Sequence, residues 1–475
     1  MSGTRKRPAQ SGAAGGGAPR SSAGARPGRG AEPALLLPVS RPASETALIV
    51  IAAVAFQAFA WAFLDWLLRA SAFQTFAWAF VDWLQAGGPR YPYNFFSSSD
   101  TFVYLDYAQK VAQGLRVYKD FSFEYPPLAL SLFTLPPHGG DLSSYQHWFA
   151  TEMIVLCSAA AALTGATAAA LWRGLRRPLA AAGAFAVAVL AAGAITANRY
   201  DVAVALTLAA CLFFLARRHA TAAGAALGVG VALKLTPGML LPLVLIVAET
   251  RRRVLYALAG FLVFAVVPFL PFLGRWDGLA NIVTYHARRP LQIEAVPGTL
   301  YLLAAARGSW GIASGSSFGS QSLSGPGSQV VARLSVWVGV LLVAGVYVLI
   351  WRRRALLRAA PQFIPVAALA CVLAFTVCNK VLSPQFLCWT FPLVALVVVG
   401  RGGWQRITGV LTLAAIALTQ VEYPYLYWRV VAFEPGPVYV VVARNLVLVA
   451  AAIAAVVTVW KLPERADADA ASSSA

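Results

Sequence analysis

Charged side chains are scarce. Only 12% of the 475 residues are Asp, Glu, Lys or Arg, against about 25% in a soluble domain. Half the charge that solvates an ordinary surface is missing, which excludes a water-soluble globular protein. With 59% hydrophobic residues and a mean hydropathy of +0.67, general disorder is excluded as well. The five cysteines (Cys157, Cys211, Cys371, Cys378 and Cys388) form no CxxC pair and all lie in apolar segments. Buried free thiols are expected, with neither a disulfide framework nor a zinc site. No P-loop, HExxH, GxSxG or tight His/carboxylate spacing occurs, which argues against ATP-driven transport and zinc hydrolysis. The opening residues lack a signal-peptide core, so the first apolar segment is expected to stay as an uncleaved anchor.

What is present is a series of apolar runs at about the 20-residue length of a membrane span. They fall near 46–68, 147–171, 178–197, 201–216, 221–233, 237–250, 254–273, 329–351, 361–378, 385–400, 407–420 and 438–460. The fold class expected is an all-α polytopic membrane protein with about 12 spans. The pair at 221–250 is short, about 13 residues on each side of Lys234-Leu235-Thr236-Pro237. Each run would cover only about 20 Å of a 30 Å core. Two short spans or one re-entrant hairpin, giving 10 spans plus the hairpin, both fit.

Lys and Arg outnumber Asp and Glu by 38 to 19, for a net charge of +19. Nucleic acid is not the reason. The arginines recur as clusters between apolar runs: Arg173/Arg176/Arg177, Arg217/Arg218, Arg251–Arg253, Arg352–Arg354 with Arg358, and Arg401/Arg406. Such clusters mark cytoplasmic loops. With both termini inside, every cluster falls on that side, and the long connections 86–146 and 274–328 fall outside. Residues 1–43 read as a disordered basic tail, 44–462 as the membrane domain and 463–475 as a second loose tail.

A segment from Ala55 to Leu67 recurs almost unchanged from Ala72 to Leu84. A second span here would invert the arginine pattern. On a helix, Phe73, Phe76, Phe80, Trp83 and Leu84 lie opposite Thr75 and Asp82, which suits a helix in the outer interface. A lipid-guiding platform and a tolerated duplication are both open. Charges at membrane depth are costly and are functional candidates by default. The first outer loop carries Asp100, Asp106, Asp120 and Glu124 among tyrosines, with a helix expected from Ser99 or Asp100 to Gly114 and another from Pro126-Pro127.

The chain resembles a known family along most of its length. Asp100 with Tyr104 after it, Gly114, then Tyr118-x-Asp120-Phe121-x-x-Glu124-Tyr125-Pro126-Pro127-Leu128 look like glycosyltransferase family 87. So do Asn198-Arg199-Tyr200-Asp201, Gly228-x-Gly230-Val231-Ala232-Leu233-Lys234-Leu235-Thr236-Pro237, Arg289-Pro290-Leu291-Gln292-Ile293-Glu294-Ala295-Val296-Pro297, and Asn379-Lys380-Val381-Leu382-Ser383-Pro384-Gln385-Phe386-x-x-Trp389. The doubled aromatic segment departs from the family pattern. The resemblance implies a GT-C fold and an inverting transfer of mannose, or another hexose, from a polyprenyl-phosphate-linked donor. The acceptor would be a lipid or glycan at the outer face of the plasma membrane. No cofactor and no metal are implied beyond the lipid-linked sugar itself, and the partners are donor, acceptor and membrane lipids. Lipid activation makes physical sense there, since nucleotide sugars are confined to the cytoplasm.

Such a transfer needs a base for the acceptor proton and cations for the departing phosphate. By the resemblance Asp100 is the base, since the fold puts its catalytic carboxylate soon after the first span. A helix cap is the alternative role. Asp106, Asp120, Glu124 and Tyr125 are the neighbouring candidates for sugar contact. Lys234 and Lys380 are read as phosphate contacts or snorkelling lysines, and Asn198, Arg199 and Asp201 as site residues or caps. His286, Arg289, Gln292 and Glu294, with Arg288, are an acceptor-binding run or a solvated loop; Asn379 and Gln385 complete the set. The Gly/Ser-rich stretch from Gly308 to Ser328 reads as a lid or as slack. A secondary transporter or flippase is the competing function, since broken helices also occur there, although no matching interruption appears in the second half.

Overall fold

The structure, a computed structural model, describes residues 39, 41–69, 99–309 and 311–462. The second copy of the aromatic repeat and most of both tails lie outside the described residues. Among those described, the chain is helical apart from one hairpin, and it is an all-α polytopic membrane protein. Seven helices are long and apolar enough to cross a membrane: Ala43–Trp66, Leu142–Leu171, Arg251–Arg288, Ser328–Arg352, Pro361–Cys378, Gly403–Val431 and Pro435–Trp460. Shorter apolar helices, Asp201–Ala216, Ala220–Leu233, Thr236–Val247 and Pro384–Val398, supply the rest. The runs at 201–216 and 385–400 read as spans from the sequence, and the pair at 221–250 as two short spans or one re-entrant hairpin. They are shorter because the chain breaks at their inner or outer ends to form the polar segments described below.

Position in the fold follows from composition. Ile364–Cys378 and Phe391–Val398 are apolar all round and almost wholly buried, as a helix without a polar face must be. Ser328–Arg352 and Arg251–Val266 instead present apolar side chains outward, among them Trp337, Leu341, Leu255 and Leu262. A contiguous exposed apolar face of that kind suits lipid, not water. All five cysteines are free, four of them buried and Cys378 half-buried.

The 221–250 ambiguity resolves into two antiparallel helices. Ala220–Leu233 starts beside Arg218 and ends at Lys234, whose ammonium pairs with Asp201 at 2.7 Å. A 3-10 turn, Thr236–Leu240, then feeds Leu241–Val247 back to Glu249, which pairs with Arg218. The tip therefore reaches only the level where Asp201–Ala216 begins. Gly224 and Gly228 on this hairpin lie flat against the Arg251–Val266 helix. A Cβ on either would run into the carbonyl of Ala257 or Phe261, and one on Gly260 into that of Thr221. Small residues at four-residue spacing allow this backbone-to-backbone approach, in which dispersion and not hydrophobicity holds helices in lipid.

The two polar connections meet at one end of the bundle. Thr101–Ala112 and Pro127–Thr134 form the first. The second opens with Val267–Arg275, broken by prolines, and the amphipathic helix Trp276–Arg288. Arg275 donates to the Val117 carbonyl at 2.7 Å and Asn281 to Ser122 at 2.9 Å. Residues 308–328, read as lid or slack, contain a hairpin, β1 (Ala313–Ser317) and β2 (Ser320–Ser324), turned at Phe318 and Gly319 with φ of 50° and 66°. Positive φ at both turn residues matches the twist of the strands. The hairpin is strapped to the 289–295 segment by Leu323 N–H to Leu291 and Ile293 N–H to Gln321.

Gly224→Val should overpack the hairpin crossing and cost about 1–3 kcal/mol. A lowered thermal unfolding midpoint in detergent is expected; an unchanged midpoint would contradict the close-packed crossing.

Candidate active site

Four consecutive residues organise the polar end of the bundle. Gly193, at φ 61°, ends the Arg176–Ala192 helix, and Asn198-Arg199-Tyr200-Asp201 then enters the next one, every member buried. Arg199 and Asp201 cannot stay charged in that interior without partners. Arg199 Nε pairs with Asp100 Oδ2 at 3.1 Å, and Arg199 Nη2 donates to the Tyr423 hydroxyl at 2.7 Å. Asp201 Oδ1 receives both Lys234 Nζ and Trp389 Nε1, each at 2.7 Å. The Lys234 ammonium also lies 5.0 to 5.3 Å from the ring centres of Tyr200, Phe386 and Trp389, within cation–π range.

Asp100 occupies the cap position of Thr101–Ala112, yet its side chain makes no capping hydrogen bond. Its carboxylate turns to Arg199 and keeps 33% of its side-chain surface exposed, while the arginine keeps 5%. Asp100 lies within electrostatic reach of Tyr104, Glu124, Tyr125, Tyr200, Tyr285, Arg289 and Tyr423. Residues from both polar connections and from the broken helices thus converge on one acid. Aromatic packing fixes the floor: Tyr104 stacks on Phe133 with ring centres 4.1 Å apart, and Tyr125 and Tyr200 meet Phe133 edge-on.

Glu124 joins this group. It accepts the Tyr107 hydroxyl at 2.5 Å, and burial pushes its carboxyl above the usual range in spite of that bond. Asp106 and Asp120 engage local partners instead. Asp106 pairs with Lys110 at 2.6 Å on an exposed helix face. Asp120 takes Arg116 through its backbone N–H and guanidinium, which holds its carboxyl down at about 2. Both are therefore braces of the loop surface in this arrangement.

The 286–294 run divides. His286 is exposed beside Tyr285, and Lys234, Lys380 and Arg289 all act on it electrostatically. Arg289 is half-buried and donates to Ser320 of the hairpin at 2.8 Å. Gln292 and Glu294 are buried and bonded to each other at 2.7 Å. Burial, then the neighbouring Glu422, hold the Glu294 carboxyl well above its ordinary range. Glu294 and Gln292 thus face inward and anchor the segment. Lys380 Nζ donates to the Ala287 carbonyl at 2.7 Å, and its own carbonyl accepts Gln292 N–H at 2.9 Å. Asn379 receives Val381 N–H at 3.1 Å and so shapes its own turn. Gln385 stands half-buried on the Pro384–Thr390 turn that carries Phe386 and Trp389.

Tyr200 and Trp389 stood in the motifs of the resemblance without a role, and Tyr423, Glu422 and Arg444 were not singled out from the sequence. Tyr200, Trp389 and Tyr423 hold the charged pairs. Glu422 and Arg444 form a fully buried pair at 3.4 Å, and Arg444 also donates to the Glu294 carbonyl at 3.0 Å. A lone charge inside an apolar run was the available signal for those two. No group of three His, Cys, Asp or Glu side chains comes together among the described residues.

The model of glycosyltransferase family 87 matches residues 123–384, more than half of the chain. The match takes in Glu124, the Asn198–Asp201 turn, Lys234, Arg289 and Lys380, and begins after Asp100. No curated protein matches the chain.

Lys234→Met alone should strand the Asp201 charge and cost about 3–5 kcal/mol. The double variant Asp201→Asn/Lys234→Met should cost clearly less than the two single changes summed. Additive losses in thermal unfolding would contradict a direct buried pair.

Proposed function

Because the chain belongs to glycosyltransferase family 87, it is a membrane glycosyltransferase, and we propose that it moves a hexose, mannose by the family resemblance, from a polyprenyl-phosphate donor. The acceptor is a hydroxyl of a lipid or glycan at the outer face of the plasma membrane. In this reading Asp100 takes the proton of that hydroxyl as its oxygen attacks the anomeric carbon. The bond from that carbon to the phosphate oxygen breaks, and the configuration inverts. Polyprenyl phosphate leaves with the bonding pair.

The observation that carries the proposal is the Asp100–Arg199 pair: a partly exposed carboxylate held by a buried guanidinium among further cations. Arg199, Lys234, Arg289 and Lys380 outnumber Asp100 and Asp201 around it, and burial drives Glu124 toward its neutral form. The surplus positive charge favours a phosphate and stabilises the charge that builds on it as the bond breaks. A fixed Arg199 also keeps Asp100 oriented, so no reorganisation is needed during the proton transfer.

The outer location rests on charge asymmetry. The arginine clusters lie at the helix ends opposite Asp201 and Lys234: Arg218 bonds the Arg358 carbonyl, and Arg177 feels Arg401 and Arg406. If those ends face the cytoplasm, the Asp100 end faces outward, where a lipid-linked donor is the activated sugar at hand.

Purified protein in lipid vesicles, given polyprenyl-phosphate-mannose and a native lipid extract, should form a glycosylated lipid or glycan. Asp100→Asn should slow transfer by the folded protein roughly 10²–10⁴-fold, and should also lower the unfolding midpoint because the buried Arg199 loses a charged partner. Undiminished transfer would remove Asp100 from the role of base, and solute uptake without any sugar transfer would contradict the proposal as a whole.

A further inference from the structure

The Ser/Gly-rich hairpin carries one aromatic residue, and it stands at the turn. Between Ala313 and Ser324 the strands hold Ser, Gly, Gln, Ala and a single Leu, and Phe318 with Gly319 closes them. Both turn residues have positive φ, 50° and 66°. Gly, Asn and Asp suit that conformation. A phenylalanine there is strained, and strain of this kind persists where the surroundings hold the residue for another purpose. Phe318 is also 36% exposed, so burial alone does not account for it.

Its surroundings point to the Asp100 end. The Phe318 and Tyr285 rings meet edge-to-face, with centres 5.2 Å apart at 73°, and Tyr285 meets His286 in the same way at 5.4 Å. Tyr285 lies within electrostatic reach of Asp100, Glu124 and Arg289. The first residue after the turn, Ser320, accepts Arg289 Nη2 at 2.8 Å. The other strand is fixed too, since Ser314 donates to the Val431 carbonyl at 2.8 Å. The turn is therefore held against two residues, Tyr285 and Arg289, that belong to the polar end. Aromatic rings also anchor proteins in the membrane interface, but Phe318 has Ser316, Ser317, Gly319 and Ser320 for neighbours and no apolar stretch to insert with it.

We propose that Phe318 and Tyr285 form a platform on which a pyranose ring of the acceptor stacks while its hydroxyl is presented to Asp100. A pyranose has a face of C–H bonds, which the negative face of an aromatic ring attracts and which apolar contact removes from water. Its hydroxyls need polar partners around that face, and the serine-rich strands beside the turn are suited to supply them. The donor sugar is tied to a phosphate that the cations attract, so the ring on this platform belongs to the acceptor. That acceptor is then a glycan or a glycolipid, and not a lipid without sugar. The assignment rests on the transfer reading above and adds the class of acceptor to it.

Phe318→Asn tests this, because Asn suits the turn better than Phe and keeps the hairpin. With polyprenyl-phosphate-mannose fixed and the native lipid extract titrated, that variant should raise the apparent acceptor KM roughly three- to ten-fold, the worth of one ring contact. The donor KM should not change, and Phe318→Trp should restore the wild-type acceptor KM. An unaltered acceptor KM, or an equal rise in both KM values, would overturn the platform and leave the transferase reading intact. A second measurement needs no transfer. Saturation-transfer NMR is run in a sugar-free detergent with the methyl α-pyranosides of mannose, glucose and galactose. Ring protons of at least one should be saturated by the wild type and by Phe318→Trp, and not by Phe318→Asn. That pattern in a protein that transfers nothing would support the platform and contradict the transferase. Equal saturation by all three proteins, or by none, would overturn the platform.

Discussion

Two opposite charges, Arg199 and Asp201, are buried two residues apart where a helix breaks and restarts. Each must be neutralised from elsewhere in the chain, and the two solutions point in different directions. Arg199 draws in Asp100 from the first polar connection, and Asp201 draws in Lys234 from the tip of the short hairpin. A buried pair is poor as a source of net stability, since desolvation consumes most of the attraction. Its value here is geometric. Satisfying both charges at once fixes the loop and the hairpin against the same helix break, and that placement puts a carboxylate beside a group of cations.

The second layer repeats the device. Tyr423 bonds Arg199 from the broken end of the Gly403–Gln420 helix, and the next residue back, Glu422, pairs with Arg444. Arg444 in turn holds the backbone of Glu294, while Gln292 is bonded to Lys380 and Ser383. Polar contacts therefore run from Asp100 through the helix breaks to the segment that carries Arg289. Inside a low-dielectric bundle such a network is rigid when satisfied and expensive when broken. Every break that carries it is marked by Gly or Pro, residues that interrupt a membrane helix and release backbone groups where a cavity is lined.

Much of this was legible in the sequence, because apolar runs and arginine clusters report membrane helices directly. Helix edges followed from Lys234-Leu235-Thr236-Pro237 and Ser383-Pro384, whereas the break at Gly193 falls inside the run read as 178–197. Arg199, Lys234 and Lys380 stood out as charges at membrane edges, Asp201 at the start of an apolar run, and Asp100 through the family resemblance. Their pairing was not legible, since it depends on which helix ends meet, and no spacing along the chain encodes that. Asp106 and Asp120 looked equivalent to Asp100 in a loop rich in carboxylates. Their partners, Lys110 and Arg116, are four residues away, and the helical or turn geometry between them decides the matter. Gln292 and Glu294 read as polar loop residues, although tertiary packing turns both inward. The Gly/Ser-rich stretch concealed a hairpin because its strands are almost devoid of β-branched residues, and the edge of the 289–295 segment supplies the pairing that propensity does not.

The account stands on the proposal that the Asp100–Arg199 pair and the cations around it receive a lipid-borne phosphate. A structure of the protein with a non-transferable polyprenyl-phosphonate sugar bound would test this most directly. The phosphonate is expected within hydrogen-bonding distance of at least one of Arg199, Lys234, Arg289 and Lys380, with the sugar between it and Asp100. A sugar bound elsewhere, with Asp100 and Arg199 untouched and no phosphonate near these cations, would contradict it.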